Sequence, residues 1–490
     1  MKKSISILAT LLLTFVCMLL FLDAAFADDN TPFQTAPYGD GVMITKYGGT
    51  VSGTLVIPEK IDGKPVLCIG RNAFSYEKTL TDVVLPEGLR TIRERAFSLC
   101  VSLKSVKLPE SLQTVGRGAF GFCESLPNIE FPRGLTRIGN EAFFGCKSLK
   151  SVELPENLEA LGEGAFNSCY KLQRVILPEG FRTIEKRAFG ECGTLETVEF
   201  PGSLMEIGEE AFSGCRSLIH MNLPDRLRKI GIKAFAGCAS LTVIKIPKGV
   251  QTIEKDVFNG CESLMNVVFP DDLETIGNGA FNGCKSLASV CFPEGLRSIG
   301  KEAFSNCEAL VSVKFPDSLR TLGDESFAYC KSLTKVVFPD GLEIIEEKTF
   351  YNCFSLAAVV FPKRIQRIEA RAFYSCLSLA SVDFPDGLKY IGDGAFTRCR
   401  SFSRMVLPDG FETIGREAFY GCNGLAIVVF PDSLVKIGDN AFHKCTLLKS
   451  VDIPDGLPTI VAKAFPENVR INVRKRSMRA SAETDSEGEQ

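Results

Sequence analysis

Phenylalanine recurs every 23 residues from Phe74 to Phe465, eighteen times, without one insertion or deletion. A fixed period of this length marks a chain built from stacked coils, because one such unit cannot bury its own apolar face and must lend it to the next. The 490 residues therefore predict one continuous solenoid domain, since a solenoid grows by adding units. With 45% apolar and 23% charged residues the chain carries enough hydrophobic material for a continuous core.

One unit, "AFNGCKSLASVCFPEGLRSIGKE" from Ala280 to Glu302, shows what each position is for. Leu287, Val290 and Phe292 point inward, the last two by alternation, which predicts a short strand. Pro293 ends it, and Glu294 with Gly295 makes a corner. Leu296 and Ile299 return to the core, Gly300 permits a tight or positive-φ backbone, and Ala303 with Phe304 closes the coil through a short helical or 3₁₀ turn. Stacking then makes every inward position a column, with Phe97, Cys100, Phe120, Cys123, Phe281, Cys284, Phe304 and Cys307 as structural core. The predicted fold is a solenoid with a parallel β-sheet on one face and short strands, turns and 3₁₀ or helical turns elsewhere, α/β or mostly β, in the form of a horseshoe or rod.

The recurring elements L-x-x-V-x-F-P, L-x-x-I-G and A-F-x-x-C resemble a leucine-rich repeat, specifically the 23-residue Treponema-type or BspA-like class, over about residues 66–465. "P-D-G" occupies the corner where commoner leucine-rich repeats place asparagine or cysteine, so their ligand geometry does not transfer. The resemblance implies a secreted or cell-surface adhesin that engages protein ligands such as extracellular matrix or other cell-surface proteins.

The ends depart from the repeat. Lys2 and Lys3, an apolar run and the small residues Ala25 and Ala27 predict a secretory signal peptide over 1–27, with an uncleaved anchor helix as the competing reading. No second apolar stretch follows, so no membrane span is expected after cleavage. Residues 28–65 are expected to form an N-terminal cap, 66–465 the solenoid of about 17–18 units, and 466–490 a C-terminal cap remnant with a disordered tail.

Three features invite a chemical reading. Sixteen of the nineteen cysteines form one column from Cys100 to Cys445, and only Cys17, Cys68 and Cys291 stand outside it. Disulfides compete here with small buried hydrophobes, and parallel Cβ vectors favour the latter. With two histidines and neither C-x-x-C nor H-x-x-x-H, no metal or other cofactor is expected. A formal net charge of -3 points away from nucleic acid. Asp or Glu follows the strand proline in 13 of 17 repeats. That row suits an exposed turn better than calcium, with Arg90, Arg182, Arg228, Arg297 and Arg320 close enough to screen it. Since every conspicuous polar group recurs as a row, a unique catalytic cluster is not expected, and the chain is read as no enzyme.

The third feature is a change along the outward strand position. Early units carry Lys107, Glu130, Glu153 and Glu199, whereas later ones carry Val268, Cys291, Val337, Val360, Val406 and Val429, interrupted by Lys314 and Asp383. Ile427, Ala357, Ala358 and Ala426 stand beside them. Valine suits any exposed strand, yet contiguous exposed apolar surface also marks protein-binding faces. The expected function is protein binding or adhesion through this stripe. The alternative is a self-associating structural component of a cell envelope or surface layer.

Overall fold

The computed structural model describes residues 32–457 and 463–476. The expected signal peptide over 1–27 and the tail beyond 476 lie outside the described residues. The chain forms a parallel β-solenoid of about 19 turns without an α-helix among the described residues. Within the repeats the strands pair in parallel with those one coil away, and the register steps by the repeat length: Val290 opposes Val313, which opposes Val336, which opposes Val359.

A typical coil has three working segments. The first is a three-residue strand such as Ser289–Cys291, whose middle residue is buried and whose two neighbours are exposed. The second is a two-residue strand such as Ser298–Ile299, which forms a separate parallel ladder with Thr275–Ile276 and Thr321–Leu322. Parallel pairing thus occupies two faces of the coil, where the alternation in the sequence indicates one. Two residues are too few for an alternation signal.

The third segment contains the A-F-x-x-C element, and it is neither α-helical nor 3₁₀. Its N–H groups alternate between two destinations. Phe120 donates to Ala142 O in the next coil at 2.8 Å, and Phe122 donates to Phe144 O at 2.7 Å. Between them Gly121 and Cys123 donate back three residues to Gly118 O and Phe120 O. A helix needs all its N–H groups for itself, whereas this segment gives every second one to the stack. The alternation requires left-handed backbone two residues before and two residues after each column phenylalanine from Phe74 to Phe442, as at Gly118 and Phe122 or Glu302 and Asn306.

Of the two expectations for Gly300, a tight or a positive-φ backbone, the structure shows the tight one. A Cβ there would lie 2.7 Å from Asn278 N and 2.8 Å from Gly277 C, both backbone atoms of the preceding coil. The glycine serves close approach between stacked backbones.

The phenylalanines stand in single file through the core. All seventeen consecutive pairs from Phe74 to Phe465 have centroids 5.0 to 5.7 Å apart and planes within 15° of parallel. That is the spacing of offset-stacked rings. A second file, from Phe269 through Phe292, Phe315, Phe338 and Phe361 to Phe384, lies edge-on to the first in the C-terminal half. At the N-terminal end an antiparallel hairpin, Phe33–Tyr38 with Gly41–Tyr47, covers the core and lays Phe33 and Tyr47 against Phe74. At the other end Arg470–Arg474 pairs with Ser450–Pro454, and Arg474 is tied to Asp432 at 2.9 Å.

The column cysteines are free thiols, buried throughout. Each donates its S–H to the phenylalanine carbonyl of the preceding coil, as Cys123 does to Phe97 O and Cys307 to Phe281 O, both at 3.3 Å. Burial pushes the thiols of Cys146, Cys192 and Cys238 up to about 12.

Candidate binding face

The three-residue strands fix which side chains face outward. In Lys335–Val337 the buried Val336 locks the strand to the core, and alternation then forces Lys335 and Val337 into solvent. The same logic places Val268, Cys291, Val360, Val406, Ile427 and Val429 on the outer surface. Val337 and the five aliphatic residues among these six are between 36% and 50% exposed, which is high for valine and isoleucine in a folded chain.

Strand register decides which of them meet. Cys291, Lys314, Val337 and Val360 are successive neighbours across one four-stranded ladder. Val406 and Val429 are paired in a second ladder, with Ile427 opposite Arg404. Val268 stands beside Lys245 in a third. The stripe therefore comes in segments. Between the first and second, the strand at Asp383 reduces to a single bridge, Ser381 to Arg404. Further toward the N-terminus the ladder breaks at 128–130, where Pro127 occupies a position whose N–H in the neighbouring coils, at Lys104 and Lys150, bonds to the carbonyl of the coil before.

Sequence reasoning missed part of this face. Ile219, Val243, Met265 and Val311 are also exposed, each within three residues N-terminal to the outward valine position of its own coil. The signal was present, because the column of Ile219, Met265 and Val311 runs without a charge as far as Ala426. It was obscured because these residues precede the strand alternation. The surface is thus broader than one stripe, with Lys314, Lys335 and Arg404 as scattered cations.

The acidic row after the strand prolines makes local contacts. Arg228 and Arg320 turn back to the carbonyls of Asp225 and Asp317, and Lys363 pairs with Asp340 at 2.9 Å, which holds that carboxyl below its ordinary range. Among the described residues no group of three or more His, Cys, Asp or Glu is placed to hold a metal ion. Nor does any helix there have the length and apolarity to cross a membrane.

Two parallel ladders, a turn ladder and a leucine-lined core define a leucine-rich repeat solenoid. The chain belongs to the BspA-type leucine-rich repeat family, whose profile matches it in overlapping segments from residue 67 to residue 476. Among solved structures, a leucine-rich repeat protein from Bacteroides ovatus is 28% identical and aligns over 92% of this chain and all of its own, with a TM-score of 0.52. A leucine-rich cell surface protein from Faecalibacterium prausnitzii is also 28% identical, over 69% of this chain and 95% of its own, with a TM-score of 0.48. The T. pallidum leucine-rich repeat protein is 34% identical over 43% of this chain and 88% of its own, with a TM-score of 0.36. No curated protein matches the chain.

Proposed function

We propose that this BspA-type protein is secreted or displayed at the cell surface and binds other proteins through the exposed face of its C-terminal half. The observation that carries the reading is the direct pairing of Val337 with Val360, both exposed, on one ladder where Lys314 and Lys335 are the neighbouring charges. Exposed apolar side chains held side by side lose water on contact with a partner without first having to be ordered, so little of the gain is spent on entropy. The scattered lysines and arginine set orientation and exclude cationic partners. Nothing on the face is arranged as nucleophile, base and oxyanion donors, and binding without chemistry is the role proposed.

The test is affinity capture with the purified chain on extracellular matrix proteins and on microbial surface proteins, run beside a variant with Val337, Val360, Val406 and Val429 replaced by serine. A partner retained by the native chain and lost by the variant supports the face. Equal retention by both places binding elsewhere. Light scattering across concentration separates this role from a self-associating envelope component, which would grow in mass as concentration rises.

A further inference from the structure

The A-F-x-x-C segment carries a second candidate site, independent of the sheet face. The residue after each core phenylalanine forms an outer column, and near the C-terminus it reads Tyr351, Tyr374, Thr397, Tyr420, His443. Tyr351 and Tyr374 stack at 4.8 Å with planes 16° apart, and Tyr420 and His443 stack at 5.7 Å and 26°. Thr397, in the coil between, is nearly buried and directs its hydroxyl to Glu417 O at 2.6 Å. One rung of an aromatic ladder is therefore replaced by a small side chain. A cleft of about 840 Å³ opens over it, lined by both ring pairs.

The charges around this gap are unbalanced. Arg371 and Arg398 line the cleft, and neither forms an ion pair among the described residues. The Arg398 guanidinium carbon stands 5.9 Å from the Tyr374 centroid. By contrast, the corresponding segment around Asn167 and Gly190 is rich in carboxylates, and there Arg187 is tied to Glu210. Asp393, Glu417 and Asn440 also line the cleft as hydrogen-bond acceptors, with Arg416 beside them, its backbone N–H on Asp393 Oδ1 at 2.7 Å and its guanidinium 3.5 Å from Glu417.

We infer that this cleft binds a pyranose ring bearing a carboxylate, the chemistry shared by uronic and sialic acids. The gap between Tyr374 and Tyr420 takes the ring, and tyrosine faces pack against its C–H groups. The unpaired guanidiniums of Arg371 and Arg398 take the carboxylate, which a planar donor fork matches well. The ring hydroxyls donate to Asp393, Glu417 and Asn440. A neutral sugar leaves both guanidiniums unsatisfied. An aromatic phosphate brings two negative charges beside Asp393 and Glu417 and has no ring hydroxyls for them.

The experiment is titration calorimetry of the full chain with a glucuronate-containing oligosaccharide and with a sialylated trisaccharide, each against its carboxyl-reduced counterpart. Binding of either acid form, weakened at least about tenfold by carboxyl reduction, is the expected result. The two arms distinguish the sugar sources. Thr397→Tyr restores the missing rung with a residue already tolerated at 351, 374 and 420, and should abolish binding while the circular dichroism is unchanged. Arg398→Gly suits the left-handed backbone there, with φ 62, and should cost about tenfold or more. Absence of binding to both acids, equal binding after carboxyl reduction, or undiminished binding by Thr397→Tyr overturns the site. Neither variant touches the sheet face, so protein capture by that face is read separately.

Discussion

Cys284 Sγ donates to Phe258 O at 3.3 Å, across 26 residues of chain, and the same carbonyl accepts the N–H of Cys261 in its own coil. The thiol thus satisfies the second lone pair of a buried carbonyl and links one coil to the next. Sixteen such links run from Cys100 to Cys445. Cys284→Ala removes the donor and leaves a small void, at a cost of about 1–2 kcal/mol. Cys284→Ser should cost a similar amount, because the shorter C–O bond holds its donor away from the carbonyl. A urea titration of the full chain checks both. An unchanged midpoint would show that the thiol merely fills space.

Alkaline pH should unfold the protein steeply. Desolvation raises the buried thiols, Cys100 and Cys445 to about 12 among them, while an unfolded thiol titrates near 9. Below pH 9 both states hold the proton and the contribution of the thiols to stability is complete. Above 9 the unfolded chain releases protons that the native chain keeps, so stability falls by up to about 1.4 kcal/mol per pH unit for each thiol, and the loss continues toward pH 12. Circular dichroism followed from pH 8 to 12 should show a cooperative loss beginning near 9, with thiolate absorbance appearing together with unfolding and not before it.

Thiol reactivity gives a sharper count. Of the described cysteines only Cys291 is exposed. A thiol reagent at neutral pH should therefore modify one described cysteine rapidly, and the remainder only in denaturant, because it is the accessible thiolate that reacts. Mass spectrometry of the native adduct locates it. Rapid labelling of the column cysteines would contradict their burial.

Two classes of glycine should respond in opposite ways. Gly300 is surrounded by backbone of the previous coil, so Gly300→Ala forces the stack apart at a cost of about 1–3 kcal/mol, and Gly300→Asn fares no better. Gly164 has φ +60, and a Cβ there would meet only ordinary contacts, Asn167 and Glu141 at 3.8 Å, in a column where Lys233 and Asn440 adopt the same conformation. Gly164→Asn should change stability by less than about 1 kcal/mol, since asparagine visits this region readily. Thermal unfolding of the four proteins, native and variant, distinguishes close approach from backbone sign.

The repeat made most of this architecture readable in advance. The period gives the stacking register directly, so the phenylalanine file and the cysteine column follow from counting, and alternation around Val290 gives the outward residues. What escaped was carried by hydrogen bonds between coils. A pattern such as A-F-x-x-C looks like a turn of helix in isolation, and only the neighbouring coil reveals that alternate N–H groups are spoken for. Left-handed positions were hidden for the same reason, because Arg95, Leu99, Glu302 and Asn306 are held there by the stack and glycine is not needed to announce them. At the surface, the cleft over Thr397 depends on which rungs are absent, and an absence has no motif.

Val337 and Val360 supply the last test, because their burial and their exposure make different demands. Their neighbours Val336 and Val359 hold the strands to the core, while the outward pair contributes little to folding. Replacing both by serine should leave the urea midpoint within about 0.5–1 kcal/mol of the native value, the range of surface substitutions away from special features. Serine is the better choice than lysine, since Lys314 and Lys335 already stand next to the pair and added like charge would weaken the ladder. Capture of any partner found for the native chain should fall by tenfold or more, because desolvation of two adjacent side chains is lost at once. Retained capture with an unchanged midpoint would mean that this half of the sheet is exposed without a client, and that the valines are there for strand propensity alone.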